Sequence, residues 1–349
     1  MMKRNISLVL IILLTISILI VGCGQQAKQE TPKPAEEPKA EEPKTEEKPK
    51  VDEKYPSRTI EYIIGWGAGG GSDIFGRTIN MPARRALEAQ IIEINMPGGS
   101  SVTAMEHVLQ QPADGYTVFG ITPDILTNTI LGRTETSYKD LTGIIQAHID
   151  VGGISARAGA PYKTWQEFVD YAKANPGKVN FGGTGAASFD EVASAHLWTQ
   201  AGLEVKYIPF EGSSEMHAAL LGGHIDVMYE EPGVIIPMIQ EGKIQPLLVV
   251  AEERVEALKD VQCVSDIGYE MPPMMWRGIA VKKGTPVEIV KKLEEEYTKA
   301  LESSVYKSFA KDRMLDLVPG YLNSEGFDKL MEKEYKIYEE IMKKLGHVK

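Results

Sequence analysis

The stretch Gly65-Trp66-Gly67-Ala68-Gly69-Gly70-Gly71-Ser72-Asp73 lies between an apolar run at 59–64 and a segment that reads as a helix. Glycines let a backbone turn sharply and come close to a bound group. A helix start just behind them leaves N–H groups unpaired and places the positive end of the dipole there. Strand, glycine turn and helix together predict a cradle for a phosphate or a carboxylate. The same unit returns further on. Residues 179–181 read as a strand, Gly182-Gly183-Thr184-Gly185-Ala186-Ala187 as its turn, and Ser188-Phe189-Asp190-Glu191 as the cap of the next helix. The two units stand about 120 residues apart, the order of one domain length. Two lobes are expected, each presenting a helix N-terminus.

From Tyr55 onward strand-like and helix-like segments alternate, which implies parallel sheets with helices on their faces. A helix over 72–88 is expected to bend at Pro82. A strand at 90–95 leads into a second glycine turn, Met96-Pro97-Gly98-Gly99-Ser100-Ser101, and another strand covers 116–120. The apolar run 144–155 reads as one long strand crossing between lobes. Thr164-Trp165-Gln166-Glu167 has the pattern of a capping box. Strands follow at 204–208, 225–229 and 245–250, with helices at 215–221 and up to Gln240. The strand 276–281 is expected back in the first lobe. Thr285-Pro286-Val287-Glu288 reads as a capping box with proline at the first helical position. The tail, 324–345, is a charged amphipathic helix expected along the outside.

The N-terminus fixes a compartment. Lys3 and Arg4 precede an almost unbroken apolar run, 6–21, closed by Gly22 and Cys23. This reads as a secretory signal over 1–22. Ile20-Val21-Gly22-Cys23 resembles a bacterial lipobox, so Cys23 is expected to become a lipid-modified N-terminus. The other reading, an uncleaved anchor with an incidental cysteine, also leaves the body outside the cytoplasmic membrane and tethered to its outer face. Residues 23–54 then form a Glu/Lys/Pro spacer without aromatics, unable to bury a core. Once Cys23 is lipidated, Cys263 has no partner, and it reads as a small apolar core residue. A formal net charge of −11 without a basic stripe argues against nucleic acid.

Several chemistries are excluded in turn. Gly65, Gly67 and Gly70 match the dinucleotide spacing, with Glu93 near where a ribose-binding acid is sought. A spacing match alone is weak, and nicotinamide cofactors are not available outside the membrane. No lysine follows the glycines as a phosphate-binding loop requires. Neither a Gly-x-Ser-x-Gly elbow nor a His-Glu-x-x-His helix occurs. His217 and His224 do not have zinc-site spacing. No catalytic residue, metal or cofactor is predicted. Asp73 would repel an anion and reads as a cap for orphan amides. Ser72 is either a cap or a ligand donor, and Trp66 and Trp276 are either ligand walls or core.

The ordered set Tyr55-Pro56-Ser57-Arg58, Ala68-Gly69-Gly70-Gly71-Ser72-Asp73, Asn95-Met96-Pro97-Gly98-Gly99 and Asp114-Gly115-Tyr116-Thr117 is similar to the tripartite tricarboxylate transporter solute-binding receptors, the TctC-like or Bug family. Pro209-Phe210-Glu211-Gly212, the run from Ala219 to Met228, Trp276-x-Gly278 and Gly284-Thr285-Pro286 continue that order to the C-terminus. The resemblance implies an α/β, two-lobed periplasmic-binding-protein fold of type II (a Venus flytrap), each lobe a mainly parallel sheet flanked by helices. Lobe 1 would comprise 55–152 and 275–349, and lobe 2 would comprise 153–274. It implies a small carboxylate ligand, such as a tricarboxylate, a dicarboxylate or a related acid. That ligand would be held by backbone amides at Gly67, Ala68, Gly69, Gly70, Gly71, Ser72 and Asp73 and at Thr184, Gly185, Ala186, Ala187 and Ser188. It also implies a monomer delivering its ligand to a large and a small integral-membrane subunit. Where the family usually has proline and threonine this chain has Ala68 and Ser72, and Ala186 and Ala187 lack the usual hydroxyls. Glu230-Glu231 and Arg277 also depart from the pattern. Arg277 is expected to meet a distal ligand carboxylate, and Glu230 to accept from a ligand amine or hydroxyl. Alternatives are a receptor for an amino acid or another small molecule serving a different transporter, and a secreted enzyme on the same fold.

Overall fold

The computed structural model describes residues 54–348. The expected signal, Cys23 and all but the last residue of the spacer lie outside them. Among the described residues the strands make two sheets. The first takes β1 (Ile60–Ile64), β2 (Ile91–Asn95), β3 (Thr117–Ile121) and β4 (Leu141–Ile149) from the N-terminal part, and β10 (Trp276–Lys282) and β11 (Leu322–Asn323) from the C-terminal part. Its order is β11-β4-β10-β3-β1-β2. The second takes β5 (Gly152–Arg157), β6 (Val179–Thr184), β7 (Val205–Phe210), β8 (Val227–Tyr229) and β9 (Ile244–Val250), in the order β7-β6-β8-β5-β9. Strands β2, β1, β3 and β4 run one way and β10 and β11 the other. In the second sheet only β5 opposes the direction shared by β7, β6, β8 and β9.

Alternation along β1 shows why the first sheet is covered on both faces. Ile60, Tyr62 and Ile64 point into one core, with Phe75 and Ile79 of α1 (Gly71–Ala86) and Leu293 and Tyr297 of α8 (Val287–Leu301). Ile63 points the other way, toward Met105 and Val108 of α2 (Val102–Gln110). Period-two side-chain direction makes one strand serve two cores. The C-terminal helix α10 (Ser324–Lys344) is no outer strap, because it buries Phe327, Met331, Tyr338 and Met342 in that second core.

Several local expectations are corrected. The run 144–155 is two strands, broken at Asp150-Val151, where the chain passes from one sheet to the other. Gly182, Gly183 and Thr184 belong to β6 itself, so the turn begins only at Gly185. Thr164 caps α4 (Trp165–Ala174), but Glu167 reaches the Lys163 N–H and not that of Thr164. Pro286 is the cap of α8 and not its first residue, and Thr285 turns its hydroxyl back to the Lys282 carbonyl. Pro82 sits inside α1 without ending it. Cys263 is a free, buried thiol. No helix among the described residues is long and apolar enough to cross a membrane.

Candidate functional site

The glycine turn after β1 delivers the N-terminus of α1 to a cleft between the sheets. Gly69, with φ +83°, makes the turn in a conformation that other residues rarely adopt. Its N–H donates to Asp73 Oδ2 at 2.9 Å. The other Asp73 oxygen accepts from Arg77 Nε at 2.8 Å and Asn95 Nδ2 at 3.0 Å. Asp73 therefore stiffens the turn with its charge paired. The cap position of α1, Gly70, carries no side-chain cap. Across the cleft stands α6 (Ser213–Leu221), whose cap position, Gly212, is equally bare. A β-carbon on Gly212 would come 3.5 Å from Gly67 Cα, and Ser214 Oγ donates to the Ala68 carbonyl at 3.2 Å. Two helix N-termini thus converge on one small space. Its volume is about 30 Å³, enough for one or two waters.

Charged side chains close the rest of that space. Arg277 on β10 is buried, and its Nε lies 2.8 Å from Asp150 Oδ2. Its Nη2 lies 3.2 Å from Glu231 Oε2, and Nη1 donates to Ser72 Oγ at 2.7 Å. Gly71 makes room for this guanidinium, since a β-carbon there would sit 2.1 Å from Nη2. Burial works against the Arg277 charge, yet Asp150 and Glu231 together hold its pKa above the usual value. Asp150 is depressed in turn, because Arg277 and His148 outweigh the effect of burial. Glu230, just before α7 (Pro232–Gln240), pairs with His217 Nε2 at 2.7 Å. Burial raises Glu230, but the bonds from His217 and its neighbours leave it lowered overall. Glu231 is pushed well up, first by burial and then by nearby carboxylates, against the opposing pull of Arg277. Burial lifts Asp190, on α5 (Phe189–Ala201), to about 8.

The turn between β6 and α5 is arranged differently. The Thr184 N–H and hydroxyl both donate to Asp190 Oδ2, at 2.7 and 2.8 Å. Gly185 N–H goes to the Phe210 carbonyl, and Ala187 N–H goes to Glu191 Oε2. The Phe189 N–H, at the head of α5, donates to Asp124 Oδ1 at 2.9 Å. Asp124 belongs to α3 (Asp124–Leu131), beside the first sheet. A carboxylate of the protein itself therefore occupies this anion cradle from across the cleft. Ser100 and Arg133 also reach over, both to the Ala186 carbonyl.

Of the residues expected to hold ligand, Trp66, Gly67, Gly70, Gly71, Ser72, Thr184, Glu230 and Arg277 line the space. Ala68, Gly69 and Asp73 support it from behind. Gly185, Ala186, Ala187 and Ser188 are turned to other partners; Ser188, for one, is buried against Tyr207. Trp276 is no ligand wall: it is 1% exposed, packs edge-on against Phe327 and donates its indole N–H to Glu334 at 2.6 Å. Its place on β10 points it to the opposite face from Arg277. Glu93 is no ribose ligand either, as it is paired with Arg84. Sequence reasoning missed Asp190, Glu231, His217 and the α6 N-terminus. A signal for the last exists, since Gly212 stands between strand and helix like a shortened copy of the first turn. A larger surface groove of about 670 Å³, bordered by Lys54, Arg58 and Lys292, lies away from all these groups and has no helix N-terminus in its wall.

Comparison with known proteins decides the family. The profile "Tripartite tricarboxylate transporter family receptor", TctC, matches residues 75–347. The chain belongs to this receptor family. It is 31% identical over 299 residues to the "UPF0065 protein in gbd 5'region" of Cupriavidus necator, spanning 85% of this chain and 90% of that one. Among solved structures, a TctC solute-binding protein from Polaromonas superposes with a TM-score of 0.62 at 29% identity, covering 83% of this chain and 99% of that one. A protein of R. palustris with adipate superposes at 0.78 with 24% identity, over 84% and 98% of the two chains. The TctC receptor fold, with two lobes, accounts for the two sheets and for a cleft walled by both. In this receptor the α1 turn and the N-terminus of α6, neither with a side-chain cap, face each other across that cleft.

Proposed function

We propose that this receptor captures a small organic carboxylate in the cleft between its two sheets and carries it to a membrane transporter. The observation that carries the reading is the convergence of the uncapped α1 and α6 N-termini on one small space. Backbone N–H groups and helix dipoles there favour an anion without a committed side-chain cation. Ser72 accepts from Arg277 and keeps its own O–H to donate. The ligand touches both jaws at once, so binding favours the closed arrangement by its differential contacts. Lobe 1 comprises 55–151 and 275–349, and lobe 2 comprises 152–274, one residue earlier than expected because Gly152 opens β5 of the second sheet. The adipate in the R. palustris relative supports a carboxylate as the class of ligand.

The receptor works outside the cytoplasmic membrane as a monomer, held there by a lipid on Cys23 and standing off on the Glu/Lys/Pro spacer. It hands its ligand to a large and a small membrane subunit and catalyses nothing. Thermal denaturation of the full chain in mild detergent tests the reading. A carboxylate at 100 times its dissociation constant adds about 2.7 kcal/mol of stability, whereas the matching primary alcohol or amide adds none. Equal stabilisation by alcohol and carboxylate contradicts it.

A further inference from the structure

We infer that residues 313–315 form a latch, fixed to the first lobe and seated in the second, that holds the cleft shut until the lobes part. The inference rests on the two-lobe closure described above and deepens it.

The chain on either side of this stretch belongs to the first lobe. Before it, α9 (Ser304–Asp312) packs on α1 and places Tyr306 in the core beneath the first sheet. After it, β11 pairs with β4. The stretch itself is tied to α9. Arg313 N–H donates to the Phe309 carbonyl at 3.0 Å, Met314 N–H to that of Lys311 at 3.2 Å, and Leu315 N–H to that of Ala310 at 2.8 Å. Met314 nevertheless belongs to a different core. The other buried members of its cluster are Val151, at the crossing, and second-lobe residues from Val249 to Cys263.

Two backbone features fit a built contact. Met314 has φ +61°, in the left-handed region that long side chains rarely adopt, and such a conformation persists only where the surroundings hold it. Gly233 is the second residue of α7, where alanine would be the better helix former. A β-carbon there would come 2.4 Å from the Arg313 carbonyl oxygen and 3.0 Å from its carbon. Glycine at 233 thus serves the close approach of two backbones, one from each lobe. Glu230 and Glu231, just before α7, line one wall of the ligand space, and the head of α1 lines the other. The latch joins these two walls from behind. Turning the second lobe away about Asp150-Val151 draws Met314 from its seat and Gly233 off the Arg313 carbonyl.

Amide hydrogen exchange on the full chain tests this. Phe189 N–H donates to Asp124 across the cleft, so its exchange reports lobe opening, whereas Phe119, within β3, reports unfolding. Gly233→Ala and Met314→Gly are each expected to speed Phe189 exchange at least about tenfold relative to Phe119. Glycine at 314 takes the left-handed backbone without strain, so that variant removes only the seated side chain. Equal changes at both amides in both variants overturn the latch. The parent chain supplies an arm without substitutions at the latch: alkylation of Cys263, read by peptide mass spectrometry. Its opening constant is expected to match that of Phe189 within about tenfold, and a larger difference overturns the latch while leaving lobe closure standing. A Phe189 amide as slow as Phe119 in the parent and in both variants overturns closure as well.

Discussion

At the head of α1 no side chain caps the first turn, and the nearest carboxylate, Asp73, is paired with Arg77 and Asn95. At the head of α5 the Ala187 amide goes to Glu191 just as Gly69 goes to Asp73 at α1, but two further amides are taken there as well: Thr184 by Asp190 and Phe189 by Asp124. Both regions have the sequence of a strand, a glycine turn and a helix start. One remains open to a ligand and the other is filled, and the group that finishes filling it comes from the far side of the cleft. A helix N-terminus is an anion site only until the fold brings a carboxylate to it. In this receptor the second open N-terminus is that of α6, whose turn contains a single glycine.

The largest effect expected comes from removing the charge that braces the open jaw. Arg277→Met leaves Asp150 and Glu231 buried without their cation, and breaking such a network costs about 3–5 kcal/mol. Urea denaturation reads this, and a loss under about 1 kcal/mol separates Arg277 from the support of the α1 turn. Next is Asp190, whose folded pKa of about 8 is far above its unfolded value. Its neutral form is favoured in the folded state, so its contribution is fully present at low pH and is lost as pH rises toward 8. Asp190→Asn makes stability between about pH 4 and 8 fall less steeply, by up to roughly 1.4 kcal/mol per pH unit. An unaltered slope contradicts the burial argument.

Asp124→Ala probes the filled jaw itself. It removes the cap on α5 and a bond between the two sides of the cleft, at about 1–2 kcal/mol. Small-angle scattering of the variant is expected to show a wider unliganded particle than the parent; identical profiles argue that Asp124 does not hold the lobes together. Smallest of all, Trp276→Phe loses the bond to Glu334, worth about 1 kcal/mol. Its ligand affinity is expected to stay within about twofold. A tenfold loss would return Trp276 to the binding wall.

Much of the fold was legible because its signals are local. Alternating apolar runs and glycine turns located β1, α1 and β2, and the return of β10 to the first sheet follows the same pattern. The α1 turn was legible for the same reason, since Gly65 to Ser72 carries its own turn and helix start. What escaped depends on contacts between distant residues. The sequence around Ser188 does not reveal that Asp124, 65 positions earlier, supplies the Phe189 bond. His217 reads as an ordinary helix residue until folding sets it against Glu230. Arg277 and Trp276 are neighbours in the chain, and only strand geometry sends one to the cleft and the other to the core. The break at Asp150 was hidden by an apolar run continuous enough to look like one strand.

The most direct measurement is a ligand titration followed by backbone amide NMR on the deuterated full chain, using a carboxylate that binds. The largest amide shifts are expected at Gly71 and Ser72 of α1 and at Ser213 of α6, with little change from Gly185 to Phe189. Largest shifts at Gly185 to Phe189 would contradict the account, for they would mean that the ligand displaces Asp124 and that the filled jaw is the true one.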